Sequence, residues 1–532
     1  MLFQITISSL ALAFTVSSTL AARSPFKWES CGFDGEAEAT VKYECSSFLV
    51  PLDYLDSAAN KTLNLQVTRV PAVNGDSQGS IFFNFGGPGF GAREALVGMA
   101  EQLLVITEGK YDLVGWDPRG VATTSPFKCY SDAERPVVMQ KHRVNDAFGP
   151  EDRTALARMW ASAGNVANDC LNSKEQTSGM GELIGTGYLA RDLMRLNDAL
   201  EGPDSLLNYW GISYGTILGA TVAAMFPDRM GRVMLDGNVN VPQWYNGYDT
   251  IWWSDVDNAV FDYFDRCVKA GPGLCPLAAR NESADVLTED LYRLMDELRR
   301  LPIPLGGATV LDASAFKLVF RAVLYGNTLW PTFATILSEL FKPADQRNIK
   351  AISSIWLPVV EATDTMGSLK DESLFGIYCG DKNTRTDSFE DIFAVSEELK
   401  RVSKALGEVH NNLVYLCARW PFHAKGGWES SWNETIETAN PMLFVGPRYD
   451  PVTPISNAYN NSGVFVGSGV LTHGGIGHGV TSHPSLCTAK AIRAYFRHGE
   501  LPAEDLNCTA DHDAFDTSKT WKDSYLPELS WE

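Results

Sequence analysis

Positive charge is scarce in this sequence. Its 532 residues carry 44 Lys and Arg against 65 Asp and Glu, a formal net charge of −21. Such a surface repels phosphate backbones and argues against a nucleic-acid partner. Histidine is also sparse, with eight in the chain. None clusters with the cysteines, and no two cysteines show C-x-x-C spacing, so no metal site is expected. Beyond the first two dozen residues no apolar run nears membrane length, which argues against a multi-span membrane protein. There is no internal repeat and no low-complexity tract. With 45% hydrophobic and 20% charged residues, wholesale disorder is excluded too. The length exceeds one ordinary core and implies two folding units or one large enzyme domain with an insertion.

What is present begins with an address. Residues 1–22 contain no charged side chain, and Leu10 to Val16 is apolar except for Thr15. Small residues follow, through Ala21 and Ala22, and then Arg23. This reads as a cleaved secretory signal over 1–22 and a secreted, extracellular protein. An uncleaved anchor is the alternative, but the run is short for a bilayer. Ten cysteines, an even number, agree with secretion. Sequence alone does not fix their pairing. Nearest neighbours would give Cys31–Cys45, Cys129–Cys170, Cys267–Cys275, Cys379–Cys417 and Cys487–Cys508. Five N-x-S/T sequons, at Asn60, Asn281, Asn433, Asn460 and Asn507, become glycosylation candidates in a secreted eukaryotic chain.

The pattern after Cys31 starts with a strand pair, Ser47 to Tyr54 and Leu63 to Val70, the second alternating apolar and polar. Short, nearly all-apolar strands follow. Each runs into glycines or a polar turn and then a helical pattern: Ser80–Phe85, Tyr111–Trp116, Leu206–Trp210 and Arg232–Leu235. Strands buried on both faces and alternating with helices imply a mostly parallel sheet covered on both sides. The rhythm stops from 238 to 440, where the text is mainly helical. Asp285 to Arg300, for example, carries an apolar stripe at Val286, Leu287, Leu291, Leu294, Met295 and Leu298. Strands resume at Pro441–Val445 and Ser468–Thr472. We therefore expect one α/β domain, 23–237 and 441–532, interrupted by a helical insertion at 238–440 before its last two strands.

Gly211-Ile212-Ser213-Tyr214-Gly215 is a G-x-S-x-G motif between a strand and a helical pattern. A nucleophile on a tight strand-to-helix turn needs small residues two before and two after it. That context makes Ser213 the candidate nucleophile, against the alternative of a helix-capping serine. A serine needs a base oriented by an acid, and this topology places the acid and then the histidine after late strands. Asp450, just past a strand, is the candidate acid; a turn aspartate before proline is the alternative. His478, between Gly477 and Gly479, is the candidate base, with His473 and His483 as rivals. The oxyanion hole would take backbone N–H groups from Tyr214 and from Gly87 in the Gly86-Gly87-Pro88-Gly89 loop. Gly87 to Ala92 also fits G-x-G-x-x-A, with Asp117 after the next strand. That is a dinucleotide fingerprint, disfavoured by the crowding of Pro118 and Arg119 and by the secretion signals.

At these residues the chain resembles the tripeptidyl aminopeptidase-like branch of the α/β-hydrolases, related to the prolyl aminopeptidases. The matching text includes Asn84-Phe85-Gly86-Gly87-Pro88-Gly89, Gly115-Trp116-Asp117-Pro118-Arg119-Gly120, Gly211-Ile212-Ser213-Tyr214-Gly215-Thr216 and Asp450-Pro451-Val452-Thr453-Pro454. It continues with Gly477-His478-Gly479 and a tail from Cys487 to Cys508. The resemblance covers nearly the whole chain after the signal. It implies an α/β-hydrolase fold with a helical cap and a Ser213–Asp450–His478 triad, with Gly87 and Tyr214 donating to the oxyanion. It also implies a secreted exopeptidase that removes short peptides, tripeptides in the branch's name, from free N-termini. Two positions depart from the pattern. Ala122 replaces the last glycine of Asp-x-Arg-Gly-x-Gly. Phe90 stands where a small residue is usual, so the acyl pocket is expected to be reshaped.

An aminopeptidase must hold an ammonium group, and Asp381 in Cys379-Gly380-Asp381 is a candidate for that bond, with a solvated acid, one of 65 in the chain, as the favoured alternative. The expected substrate is a peptide or a small-molecule ester. No cofactor and no membrane partner after signal removal are expected. An ester, lactone or amide hydrolase on a small apolar substrate is the alternative, since the same triad would serve it. A catalytically dead binding protein is the third class, disfavoured because every triad position is filled.

Overall fold

Five consecutive residues from Ser80 to Asn84 form a strand that is buried along its whole length. Its side chains alternate between two cores: Phe82 enters one, Ile81 and Phe83 the other. The first core is covered by the helices Thr186–Glu201 and Tyr214–Met225, through Leu189, Leu193, Ile217 and Leu218. The second is covered by Ala92–Ile106 and Leu486–His498, through Leu96, Leu103, Ile492 and Tyr495. That is the double covering expected of a parallel sheet with near-continuous apolar strands.

The computed structural model describes residues 25–33, 41–56, 58, 60–138, 148–174, 179–307, 309–364, 371–428, 431–504, 506–521 and 523. The expected signal segment 1–22 lies outside them. The strands are β1 (Glu44–Pro51), β2 (Thr62–Val70), β3 (Ser80–Asn84), β4 (Asp112–Asp117), β5 (Leu207–Ile212), β6 (Met230–Asp236), β7 (Ile303–Gly306), β8 (Thr309–Leu311), β9 (Leu443–Pro447), β10 (Gly469–Gly474) and β11 (Asn507–Thr509). Nine of them form one sheet in the order β1-β2-β4-β3-β5-β6-β9-β10-β11. The β1–β2 and β2–β4 pairs are antiparallel, and the rest run parallel. This is the α/β-hydrolase architecture.

Between β6 and β9 the chain is helical, as its sequence implies, with one addition and one adjustment. The addition is the β7–β8 hairpin, a short antiparallel pair that closes through Gly306 and Gly307. The adjustment is Val286, which faces solvent while Leu287, Leu291, Leu294 and Leu298 are buried. Ser283 caps that helix by accepting the Val286 N–H, which ties Val286 to the exposed first turn. A third strand also follows the insertion, where two were expected. β11 is only Asn507-Cys508-Thr509, too short to show alternation, and it is tethered to the preceding helix by Cys487–Cys508.

The five disulfides join the same neighbours that the sequence order pairs: Cys31–Cys45, Cys129–Cys170, Cys267–Cys275, Cys379–Cys417 and Cys487–Cys508. All five sequon asparagines are exposed. Among the described residues no helix is long and apolar enough to cross a membrane, and no group of side chains is placed to hold a metal ion.

Candidate active site

β5 ends at Ile212, and the helix Tyr214–Met225 starts two residues later. Ser213 makes the whole turn by itself, at φ 58° and ψ −123°. Few non-glycine residues hold a positive φ without support from their surroundings. The support is steric and local. A Cβ on Gly211 would stand 2.2 Å from the Gly215 carbonyl oxygen, so strand and helix meet here only with glycine on the strand side. The early glycine loop closes on the same point: a Cβ on Gly86 would lie 2.7 Å from Ser213 Cβ and 3.1 Å from the Tyr214 nitrogen. Asn84 shapes that loop by accepting the Gly86 N–H at 3.0 Å. The Tyr214 N–H stands in the first turn of its helix, where no intrahelical acceptor exists.

Asp450 follows β9 and is fully buried. One oxygen accepts the Val452 and Thr453 N–H groups, both at 2.9 Å, and the other accepts the Gly479 N–H at 3.1 Å. His478 Nδ1 donates to the same carboxylate, at 3.0 and 2.9 Å, and lies 3.1 Å from Thr453 Oγ1. With the ring proton on Nδ1, Nε2 is the basic nitrogen. It has no hydrogen-bond partner among the described residues. The histidine loop borders the serine's strand: a Cβ on Gly479 would be 3.5 Å from Ile212 Cγ2.

The rival histidines are placed elsewhere. His473 is buried and bonded through Nδ1 to Thr488 Oγ1 at 2.9 Å, and burial pushes it down to about 3. His483 is buried as well, and burial lowers it to about 4. Among the described residues neither is bonded to an acid. Asp117, the acid of the dinucleotide alternative, is occupied by Thr123 and by the Arg93 N–H.

The ring of Phe90 crowds Gly87, one of the two oxyanion-hole candidates. A Cβ on Gly87 would be 2.6 Å from Phe90 Cδ2, so the ring lies over the loop. Ala122 takes φ 44°, the conformation for which the family pattern keeps glycine. Asp381 is buried and bonded, unlike an acid waiting for a ligand. Its Oδ1 accepts the Thr186 N–H at 2.9 Å, and its Oδ2 accepts Trp244 Nε1 at 3.0 Å and the Thr186 hydroxyl. Burial raises it to about 6. Thr186 is in turn 2.7 Å from the Tyr214 hydroxyl. Asp381 thus supports, through Thr186, the ring of Tyr214, the residue after Ser213.

Sequence reasoning missed Tyr325. It comes from the inserted segment, its carbonyl accepts the His478 N–H at 2.9 Å, and its ring meets the imidazole edge-on at 5.0 Å. Arg321, one turn earlier, donates to the Tyr325 hydroxyl at 2.9 Å. Nothing in the sequence around Tyr325 signals this contact, which is made across more than 150 residues.

Residues 403–508, which include Asp450 and His478, match the family model described as TAP-like protein. The chain is 27% identical over 513 residues to a tripeptidyl aminopeptidase of Streptomyces lividans, covering 93% of this chain and 88% of that one. It is 27% identical over 513 residues to the serine protease Hip1 of Mycobacterium tuberculosis, covering 91% of each. It is 26% identical over 494 residues to carboxylesterase B of Mycobacterium tuberculosis, covering 90% of this chain and 89% of that one. This sheet, this elbow and these likenesses support a TAP-like α/β-hydrolase and, by class, a serine hydrolase.

Proposed function

We propose that the protein is a secreted serine exopeptidase that releases short peptides, tripeptides in the first instance, from free N-termini. Ser213 is the nucleophile, His478 the base and Asp450 the orienting acid. The observation that carries this reading is the His478–Asp450 pair, bonded at 2.9 Å in a loop that borders Ile212, the residue before a serine held at positive φ. The choice of peptide rests on the likeness to the peptidases, which runs over nine-tenths of the chain. Residues 238–440 act as a cap over the strand ends, and Tyr325 is its contact with His478.

In this mechanism Ser213 Oγ attacks the scissile carbonyl while its proton passes to His478 Nε2. Asp450 keeps the ring in the required tautomer and balances the imidazolium. The tetrahedral oxyanion is held by the N–H groups of Tyr214 and Gly87. The proton on Nε2 then goes to the departing amine. The peptide is left as an ester on Ser213, and a water deprotonated by His478 releases it. Five disulfides and five exposed sequons support an extracellular setting, with glycans on Asn60, Asn281, Asn433, Asn460 and Asn507 when the host attaches them.

The second reading, an esterase on a small apolar acyl group, is favoured by Phe90 over Gly87 and by the likeness to carboxylesterase B. One experiment separates the two. A peptide is offered with a free or an acetylated N-terminus to the wild type and to Ser213→Ala, and the products are weighed by mass spectrometry. Release of a short N-terminal fragment from the free peptide alone, by wild type alone, supports the exopeptidase. Aryl ester turnover with both peptides intact selects the esterase.

A further inference from the structure

Asp236, the last residue of β6, is fully buried and touches both sides of the site at once. Its main-chain carbonyl accepts the Ser213 N–H at 3.0 Å. Its carboxylate accepts the Val480 N–H at 3.0 and 3.2 Å, two residues beyond His478. Gly479, at φ 76°, turns the chain between His478 and that N–H. The next residue along from Asp236 borders the histidine as well: a Cβ on Gly237 would be 3.3 Å from His478 Cε1 and 3.5 Å from Asp450 Oδ2.

A second buried acid beside an Asp–His pair calls for an explanation. A buried carboxylate is stable as an anion only when donors or a counter-charge replace its lost water. Asp450 has three N–H donors and the imidazole. Asp236 has the Val480 N–H, and burial raises it to about 7. The titratable groups facing it are His478, from the loop after β10, which favours its charge, and Asp450, from the loop after β9, which opposes it. From β5 the Trp210 indole N–H faces it and favours its charge.

We propose that Asp236 is an ionisable positioning residue of this site. It clamps the loop that carries His478 to the strand end that carries Ser213, and its negative charge favours the imidazolium formed when Ser213 gives up its proton. The inference rests on the Ser213–His478–Asp450 reading above. Asp236 exchanges only its own proton with solvent and touches no reacting atom. Its ionisation near neutrality tightens the bond to Val480 and raises the rate.

The test uses the full chain as wild type, Asp236→Asn, Asp236→Ala and Ser213→Ala. Three quantities are followed from acid to alkaline pH: the rate of fluorophosphonate labelling, and kcat and KM on a free N-terminal peptide. Asp236→Ala should lower labelling and kcat about 10–100-fold, the scale of a small misplacement of reacting groups, with KM held within about twofold. Asp236→Asn keeps an acceptor for Val480 and loses the charge, so its profile should keep the limb set by His478 and lose the part of the wild-type pH dependence that Asp236 supplies. An Asp236→Asn profile that overlays the wild type overturns the proposal, as does an Asp236→Ala variant with unchanged kcat. If Asp236→Ala does not fold, the Asp236→Asn profile decides alone. A wild type that labels at Ser213 and cuts no peptide defeats the exopeptidase reading, and the labelling profiles still judge Asp236. A wild type that never labels at Ser213 removes the proposal together with the triad reading beneath it.

Discussion

The sheet and the inserted segment contribute to the same site in opposite ways. On the sheet side each polar group stands at or just past the end of its own strand: Ser213 after β5, Asp236 on β6, Asp450 after β9 and His478 after β10. Each is held largely by backbone N–H and C=O groups of the neighbouring loops. On the inserted side the polar groups hold one another across long stretches of chain. Lys382 is buried and pairs with Asp249 at 2.5 Å, 133 positions away, and donates to the Trp244 carbonyl at 2.8 Å. Asp381 reaches Thr186 over a separation of 195. The difference implies that damage to the sheet side should abolish chemistry at little expense in stability, and damage to the inserted side should do the reverse.

The largest effect tests the first half. Ser213→Ala should eliminate hydrolysis, and Asp450→Asn should lower kcat about 10⁴-fold by leaving His478 in the wrong tautomer, with melting temperatures close to wild type. A large fall in melting temperature with Asp450→Asn would break the contrast. The second half is tested by Lys382→Met, which strands the buried Asp249 charge. Losing one partner of a buried pair costs about 3–5 kcal/mol. The urea midpoint should therefore fall, while the folded fraction still labels with fluorophosphonate. Unchanged stability would show that the pair does not hold the insertion together.

A smaller effect sharpens the picture of Asp381. Burial raises it to about 6, so the folded protein keeps a proton that the unfolded chain has released. The sign is that of a raised acid: its contribution is greatest at low pH and is lost as pH rises toward about 6. Melting curves should show the wild type losing stability relative to Asp381→Asn between about pH 4 and about pH 6. Parallel curves would mean that the carboxyl is solvated. The smallest effect compares two disulfides within the insertion. Cys379–Cys417 spans 38 residues and Cys267–Cys275 spans 8. The loop-entropy model makes loss of the longer one more destabilising by about 1–1.5 kcal/mol. Equal losses in paired Cys→Ser variants would contradict that ranking.

The same contrast explains what could be read from the sequence. The elbow at Ser213 was legible because a strained turn forces glycine at fixed spacing around it. The parallel strands were legible because burial on both faces makes them apolar throughout. His478 was set apart from His473 by loop length alone; His473 sits within β10, with its ring in the core against Thr488. The β7–β8 hairpin and β11 were not legible, because strands of three or four residues are too short for alternation to show. Tyr325 and the Asp381–Thr186–Tyr214 relay were hidden for a different reason. Their partners are set by how the insertion packs on the sheet, and no local spacing encodes that. Asp236 lay in plain view at a strand end, but its tie to Val480 depends on the pairing of β6 with β9 and of β9 with β10.

The most direct test of the account is to trap the nucleophile. The protein is treated with a fluorophosphonate, digested, and mapped by mass spectrometry, in parallel with Ser213→Ala. One modified residue, Ser213, is expected in the wild type and none in the variant. A label on another serine, or labelling that survives Ser213→Ala, would contradict it.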